Sequence, residues 1–340
     1  MKIGLVTPYI YPLPGGVNAH VHDLYEHLVA RGHDVRIISS VHGPQRQSEG
    51  DIIRLGYGFS VPANGSVGTL TFSPRYTSIV ANMLDEERFD ILHFHEPFVP
   101  FLSLVLLRES KSINVATFHA YAGWSPAAEF GKRMLGRFEP RKGVMYALKA
   151  YRQLRQRGYD CRLLLAGAGP QEREIRRYIA TRRLGGVELL GRISDEDKIR
   201  YFATADVYVS PATGQESMGV VLLEALASGT PIVCSDIHGY RSVVRRGEQG
   251  LLVPPRNVTA LAYAIGQVLS NPEMSARMSG SARQRAVQFG WDNIAAKVEE
   301  YYLFVARRAA LQGILPEHTD PALVFGTRDP QPVSPVPSAD

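Results

Sequence analysis

Cysteine is almost absent from this 340-residue chain: there are two, Cys161 and Cys234, far apart and in no metal-type spacing. That argues against a disulfide scaffold or a cysteine metal site and fits a reducing compartment. Long apolar runs are lacking too. The longest, around residues 99–107, falls far short of the roughly 20 residues that span a bilayer. Met1-Lys2 leads straight into IGLVTPY, which is too short for the core of a signal peptide. A cytoplasmic protein is the expectation. The dinucleotide fingerprint is missing as well. GGV at 15–17 is not GxGxxG, GAGPQE at 167–172 misses the third glycine, and no ribose-binding acid is evident after the second strand. These gaps argue against a nicotinamide oxidoreductase.

What is present is ordinary core-forming material, 45% hydrophobic and 21% charged, enough for two domains. The net charge of +5 suits anionic small ligands, an acidic membrane surface or nucleic acid, and does not choose among them. Residues 2–7 read as a buried strand, 19–33 as a helix stopped by Gly32, and 34–40 as a second strand. Further strands are expected at 51–55, 90–95 and 114–120, and helices at 74–87 and 98–109. The second half repeats the grammar: helix 143–157, strand 161–167, helix 170–183, strand 187–191, helix 195–203, strand 206–211, helix 218–228, strand 231–236, a short helix at 239–245 and strand 250–254. Helices follow at 258–270, 273–288 and 291–307. Such alternation implies α/β architecture, parallel sheets covered on both faces, and ligands bound beyond the strands' carboxyl ends. Residues 313–340, rich in Pro, Asp and Thr without periodicity, read as a disordered tail.

Several stretches carry chemistry. Gly15 and Gly16 open the first helix, where bare backbone amides favour an anion; a plain tight turn explains them equally. GRFEPRKG at 136–143 sets Arg137, Arg141 and Lys142 before a helix, against its dipole, which makes sense if an anion such as a pyrophosphate sits among them. A solvated basic loop is the alternative. In GQESMGVVLLEALASGTP at 214–231, Glu216 leaves the carboxyl end of a strand. Ser217, Met218, Gly219 and Val220 begin a helix whose amides are free for a phosphate, and Glu224 lies two turns in. An amphipathic helix with one stray acid is the plainer reading. His95 and His119 end strands, where function concentrates, although lone histidines more often pack. The run 195–197 (DED) after Ser194 fits a capped, dipole-matched first helical turn better than a metal site, and no metal is expected.

Taken in order, the GGV loop, NGS at 64–66, FHEP at 94–97, TFHA at 117–120, GRFEPRKG, LLLAGAGP at 163–170, GRISDEDK at 191–198 and the two glutamates eight apart resemble the retaining glycosyltransferases of family 4, and within it the phosphatidylinositol mannosyltransferase-like members. The resemblance spans about residues 1–305. It implies a GT-B fold, two Rossmann-like doubly wound domains facing across a cleft: an acceptor-side domain at 1–135, a nucleotide-sugar domain at 136–290, and a helix at 291–312. It implies hexose transfer, mannose or glucose, from a GDP- or UDP-linked donor, with no cofactor and no nucleic-acid partner. The acceptor stays open among a lipid, a polysaccharide and a small molecule, and with it a weak peripheral association at the inner face of the membrane.

By the same resemblance Arg137 and Lys142, with Arg141, bind the diphosphate. Glu216 contacts the donor sugar and Glu224 the ribose. Ile193 and its neighbours line the base pocket with Lys198 nearby. Gly16 approaches the phosphates, Asn64 belongs to the substrate loop, and His119 lies beside the reacting centre. Two departures stand out. Only sixteen residues separate His119 from Gly136, so by ordinary domain sizes roughly 70–80 residues are missing and the first domain is truncated. Thr69 and Thr71 stand where phosphoinositide-using members carry arginines, which argues against a phospholipid headgroup acceptor. The alternative reading is an impaired remnant that binds a nucleotide diphosphate without turning it over.

Overall fold

The computed structural model describes residues 1–13, 15–40, 47–55, 58–63, 66–71, 76–97, 102–119, 138–214, 216 and 218–325. The chain divides into two compact units, one of residues 1–62, 66–118 and 294–340, the other of residues 63–65 and 119–293.

The first unit is built from β1 (Lys2–Ile10), α1 (Gly16–Ala30), β2 (Asp34–Ser40), β3 (Gln47–Glu49), β4 (Ile52–Leu55), β5 (Gly58–Ala63), β6 (Ser66–Thr71), α2 (Tyr76–Glu87), β7 (Ile91–His95), α3 (Leu102–Glu109) and β8 (Ile113–Thr117). Five strands pair in parallel in the order β4-β2-β1-β7-β8. The strand order reverses at β1 and β7, so the ends of those strands flank a switch point, where such sheets place ligands. β1 is apolar along most of its length because both faces are covered: Ile3, Leu5 and Val6 are fully buried. β3, β5 and β6 were not expected from the sequence. Asn64-Gly65, read only as part of a substrate loop, is also the strongest short signal for a hairpin between two strands; both residues lie outside the described set.

The second unit comprises α4 (Val144–Gln156), β9 (Leu163–Ala166), α5 (Glu172–Arg182), β10 (Val187–Gly191), α6 (Asp195–Thr204), β11 (Tyr208–Ser210), α7 (Val220–Ser228), β12 (Ile232–Ser235), α8 (His238–Arg241), β13 (Gly250–Val253), α9 (Val258–Ser270) and α10 (Pro272–Val287). Its strands pair in parallel as β9-β10 and as β11-β12-β13. The central strand β12 shows the period of two directly. Ile232 and Cys234 pack with Leu222 and Leu226 of α7 and Ala282 of α10, while Val233 packs with Leu154 of α4 and Leu261 of α9. Each such buried aliphatic side chain contributes about 1.5–3 kcal/mol.

The chain then returns to the first unit through α11 (Trp291–Leu311) and α12 (Pro321–Phe325). Tyr302, fully buried, bonds His93 Nδ1 at 2.6 Å, and Glu299 pairs with Arg31 and with His33. The expected disordered tail needs correction over residues 314–325. Thr319 Oγ1 donates to Asp90 Oδ1 at 2.7 Å, His318 Nε2 bonds the Phe89 carbonyl at 2.9 Å, and Arg307 Nε donates to the Val324 carbonyl at 2.8 Å. Val324 is 1% exposed. A composition poor in periodicity still orders where a few side chains bury and bond against a preformed core.

Candidate active site

In the second unit the site grows from two backbone segments locked together. A single 3-10 turn, Pro140–Lys142, precedes α4, and the segment after β11 runs past it. Gly143 joins the turn to α4 at φ 73°, and a Cβ there would sit 1.9 Å from the Pro211 carbonyl oxygen. Only glycine permits that conformation and that approach. The Thr213 amide donates to the Arg141 carbonyl at 2.7 Å and closes the contact. The cations of the turn are thereby held against Glu216.

Lys142 Nζ lies 2.7 Å from Glu216 Oε1, and Arg141 Nη1 donates to the same oxygen. Arg141 Nε reaches Glu139 Oε2 at 2.7 Å. The Glu216 and Glu139 side chains are mostly buried, so this is a shielded network in which attraction between charges is far stronger than in water. Cations crowded before a helix imply an anion among them. The structure supplies one in Glu216 itself, and another in Glu139, whose role was not foreseen although it sits inside the same motif. Among the described residues two cations thus meet two carboxylates, and phosphate oxygens can make the same bonds to Arg141 and Lys142 that Glu216 makes here.

α7 begins at Val220, two residues later than the sequence pattern implied, with Gly219 as N-cap. Gly219 has φ 75°, and a Cβ there would lie 2.6 Å from the Tyr240 ring. Tyr240 in turn bonds Ser210 of β11 at 2.8 Å. Burial, with the Glu216 carboxylate adding to it, raises the Tyr240 phenol above its ordinary range, so Tyr240 is a neutral support for the turn. No sequence motif marked it. Among the described residues no side chain caps α7, and Val220 is exposed, which leaves first-turn amides available to an anion. Met218 packs on the core beneath.

One turn further, Glu224 Oε1 meets Lys198 Nζ at 2.8 Å, and Lys198 also reaches Asp195 at 2.7 Å. Burial works against the Lys198 charge, but the bonds to Asp195 and Glu224 outweigh it and hold its ammonium above the usual range. Glu224 Oε2 is buried and has no hydrogen-bond donor among the described residues. Ser194 caps α6 by accepting from the Asp197 amide at 3.0 Å, as its sequence implied. Ile193, half-buried, enters that turn. The structure therefore brings together Arg141, Lys142 and Glu216, and separately Lys198 and Glu224. Arg137, Asn64 and Ser217 lie outside the described residues. Burial pushes the His119 imidazole down to about 4, so it is a neutral ring near pH 7.

In the first unit Gly15 is the N-cap of α1, with no side-chain cap bond among the described residues, and a Cβ on Gly16 would meet nothing within 4 Å. The loop between β1 and α1 is pinned by a residue the sequence reading passed over. Asn18, buried, donates to the carbonyls of Ile10 and Leu13 at 2.9 and 2.8 Å and accepts from Thr7 Oγ1 at 3.0 Å. Across the switch point His95 stacks on His93 with ring centroids 4.5 Å apart, and His20 lies 5.4 Å from His95. Glu96, just past β7, holds a left-handed φ of 57°, strain of the kind that collects at functional loops.

Residues 133–285 match the family described as "Glycosyl transferases group 1", and residues 14–142 match "Glycosyltransferase Family 4". The phosphatidyl-myo-inositol mannosyltransferase of Mycobacterium leprae is 32% identical, with 90% of this chain and 97% of that protein aligned. The chain therefore belongs to the family-4 glycosyltransferases. Its fold is that of GT-B enzymes: sucrose-phosphate synthase of Thermosynechococcus elongatus superposes with a TM-score of 0.66 at 21% identity, covering 92% of this chain and 99% of that one. An Anabaena protein, HepE in complex with UDP, gives 0.60 at 16% identity, covering 88% and 99%. The alignment to the leprosy-bacillus protein runs over 367 positions but uses 90% of 340 residues, so about sixty positions of that relative have no counterpart here. The two family matches also overlap at 133–142, leaving no residues between them. Among the described residues no helix is long and apolar enough to cross a membrane.

Proposed function

We propose that this chain transfers a hexose, with retention at the anomeric carbon, from a nucleotide diphosphate sugar to an acceptor hydroxyl. The observation that carries the reading is the convergence of Arg141 and Lys142 on one oxygen of Glu216 at the carboxyl end of β11. Fixed cations that neutralise a departing diphosphate supply the electrostatic stabilisation such a transfer requires. Glu216, released by the phosphates, hydrogen-bonds the donor sugar, and Glu224 accepts from the ribose hydroxyls through the oxygen that has no donor among the described residues. Lys142 and Arg141 fill the charge role that a divalent cation fills elsewhere. Mannose is favoured as the sugar by the mannosyltransferase at 32% identity, with GDP or UDP as the carrier. The acceptor remains a lipid, a polysaccharide or a small molecule, and peripheral contact with a membrane follows only from the first. Incubation with GDP-mannose, UDP-glucose and candidate acceptors in the presence of EDTA tests the reading; it requires donor consumption that Lys142→Ala and Glu216→Ala abolish.

The shortened stretch before residue 136 favours a second reading by a specific observation, the roughly sixty positions lacking here relative to the M. leprae protein. In that case the second unit binds a nucleotide diphosphate but no acceptor is glycosylated. Calorimetric binding of GDP or UDP without turnover on any acceptor distinguishes the two.

A further inference from the structure

A second basic cavity lies in the same unit. It has a volume of about 420 Å³ and is lined by Lys149, Arg152, Gln153 and Gln156 of α4, Tyr178 and Arg182 of α5, and Val258 at the start of α9. None of Arg141, Lys142, Glu216, Lys198 and Glu224 lines it, so the cavity is distinct from the donor site. Three cations line it, and among the described residues no carboxylate does. Elsewhere on the same two helices Arg155 pairs with Asp160 and Arg176 with Glu172. The favourable dipole at the carboxyl end of α5 accounts for Arg182 taken alone. It does not account for Lys149 and Arg152 of the neighbouring helix lining the same cavity.

The remaining lining adds hydrogen-bonding groups. Gln153 Oε1 is buried and accepts from no donor among the described residues, and the Tyr178 phenol and the Gln156 amide stand at the same cavity. A buried acceptor without a donor costs free energy unless a ligand supplies one. The volume falls within the range of small-molecule sites.

We propose that this cavity binds the phosphate ester of a polyol or sugar, its phosphate held by Lys149, Arg152 and Arg182 and a hydroxyl donated to Gln153. Such a group exists free in solution as a monoester and in the headgroup of an anionic lipid as a diester, and the shared chemistry is the phosphate with an adjacent hydroxyl. The test uses the full chain. Glycerol 3-phosphate and inorganic phosphate are titrated calorimetrically into the wild type, into Arg152→Ala/Arg182→Ala, and into Lys142→Ala. Melting curves confirm that the variants are folded. The expected result is saturable binding of glycerol 3-phosphate, tighter than inorganic phosphate, weakened at least tenfold in the double variant and unchanged in Lys142→Ala. Sedimentation with phosphatidylglycerol vesicles that is lost in the same double variant identifies the headgroup as the source; binding of the soluble ester alone identifies a free metabolite. No binding by the wild type at millimolar ester, or binding lost in Lys142→Ala but kept in the double variant, overturns the proposal.

Discussion

The two units fasten the loops at their candidate sites by different means. In the first, the loop after β1 is fixed by a neutral buried amide, Asn18, with bonds to two carbonyls and a hydroxyl. Beside it stand the rings of His93 and His95, with His93 bonded to Tyr302 and Thr117. In the second, the turn before α4 and the segment after β11 are tied by the backbone bond from Thr213 to Arg141 and carry a charged contact besides, with Arg141 and Lys142 sharing Glu216. A neutral fastener cannot be displaced by an anion. An ionic one can, because phosphate oxygens make the same bonds to guanidinium and ammonium. On the proposed function, the first unit's loop is scaffold and the ionic contact of the second unit is where the donor's diphosphate binds.

The largest expected effect separates these roles. Lys142→Ala should lower turnover by about 10²–10³-fold, the cost of losing one electrostatic contact to a developing charge, while its melting temperature stays near that of the wild type; an equal loss of stability and activity would make the network structural. Glu224→Ala should weaken donor binding about tenfold to a hundredfold, as for a hydrogen bond to a charged group at about 1.5–3 kcal/mol, seen as a raised KM. Asn18→Ala should act the other way, destabilising the chain by roughly 1–3 kcal/mol through the loss of three buried or part-buried hydrogen bonds, read as a drop in denaturant midpoint. Thr319→Ala, which removes a buried bond to Asp90, should cost about 1 kcal/mol in the same assay. The smallest concerns pH. His119 has its folded value lowered to about 4 from 6.5, so the unfolded chain binds the proton more readily. Its contribution to stability is full above pH 6.5 and is lost as pH falls toward 4. His119→Gln should flatten the slope of stability against pH in that window and leave it unchanged above pH 7.

Strong periodicity made β2, β10 and α9 legible to the residue, because a buried parallel strand and an amphipathic helix each impose one hydrophobic period. β5 and β6 escaped because their pattern is weak, and the one local signal between them, Asn64-Gly65, was read for chemistry rather than for turn geometry. In the candidate site the charged residues stood out, since cations crowded before a helix are costly without a partner. Their actual partners were harder to see. Glu139 pairs with Arg141 two residues away, a contact set by the 3-10 turn, and Tyr240 supports Gly219 from another element altogether. Such pairings depend on the fold bringing distant backbone together, as Gly143 against Pro211 does, and no linear spacing announces them.

Isothermal titration of GDP and UDP into the metal-free wild type and into Lys142→Ala bears most directly on the receptor formed by Arg141, Lys142 and Glu216. At least one nucleotide should bind the wild type saturably and bind the variant at least tenfold more weakly. Equal affinity in the two proteins would contradict it.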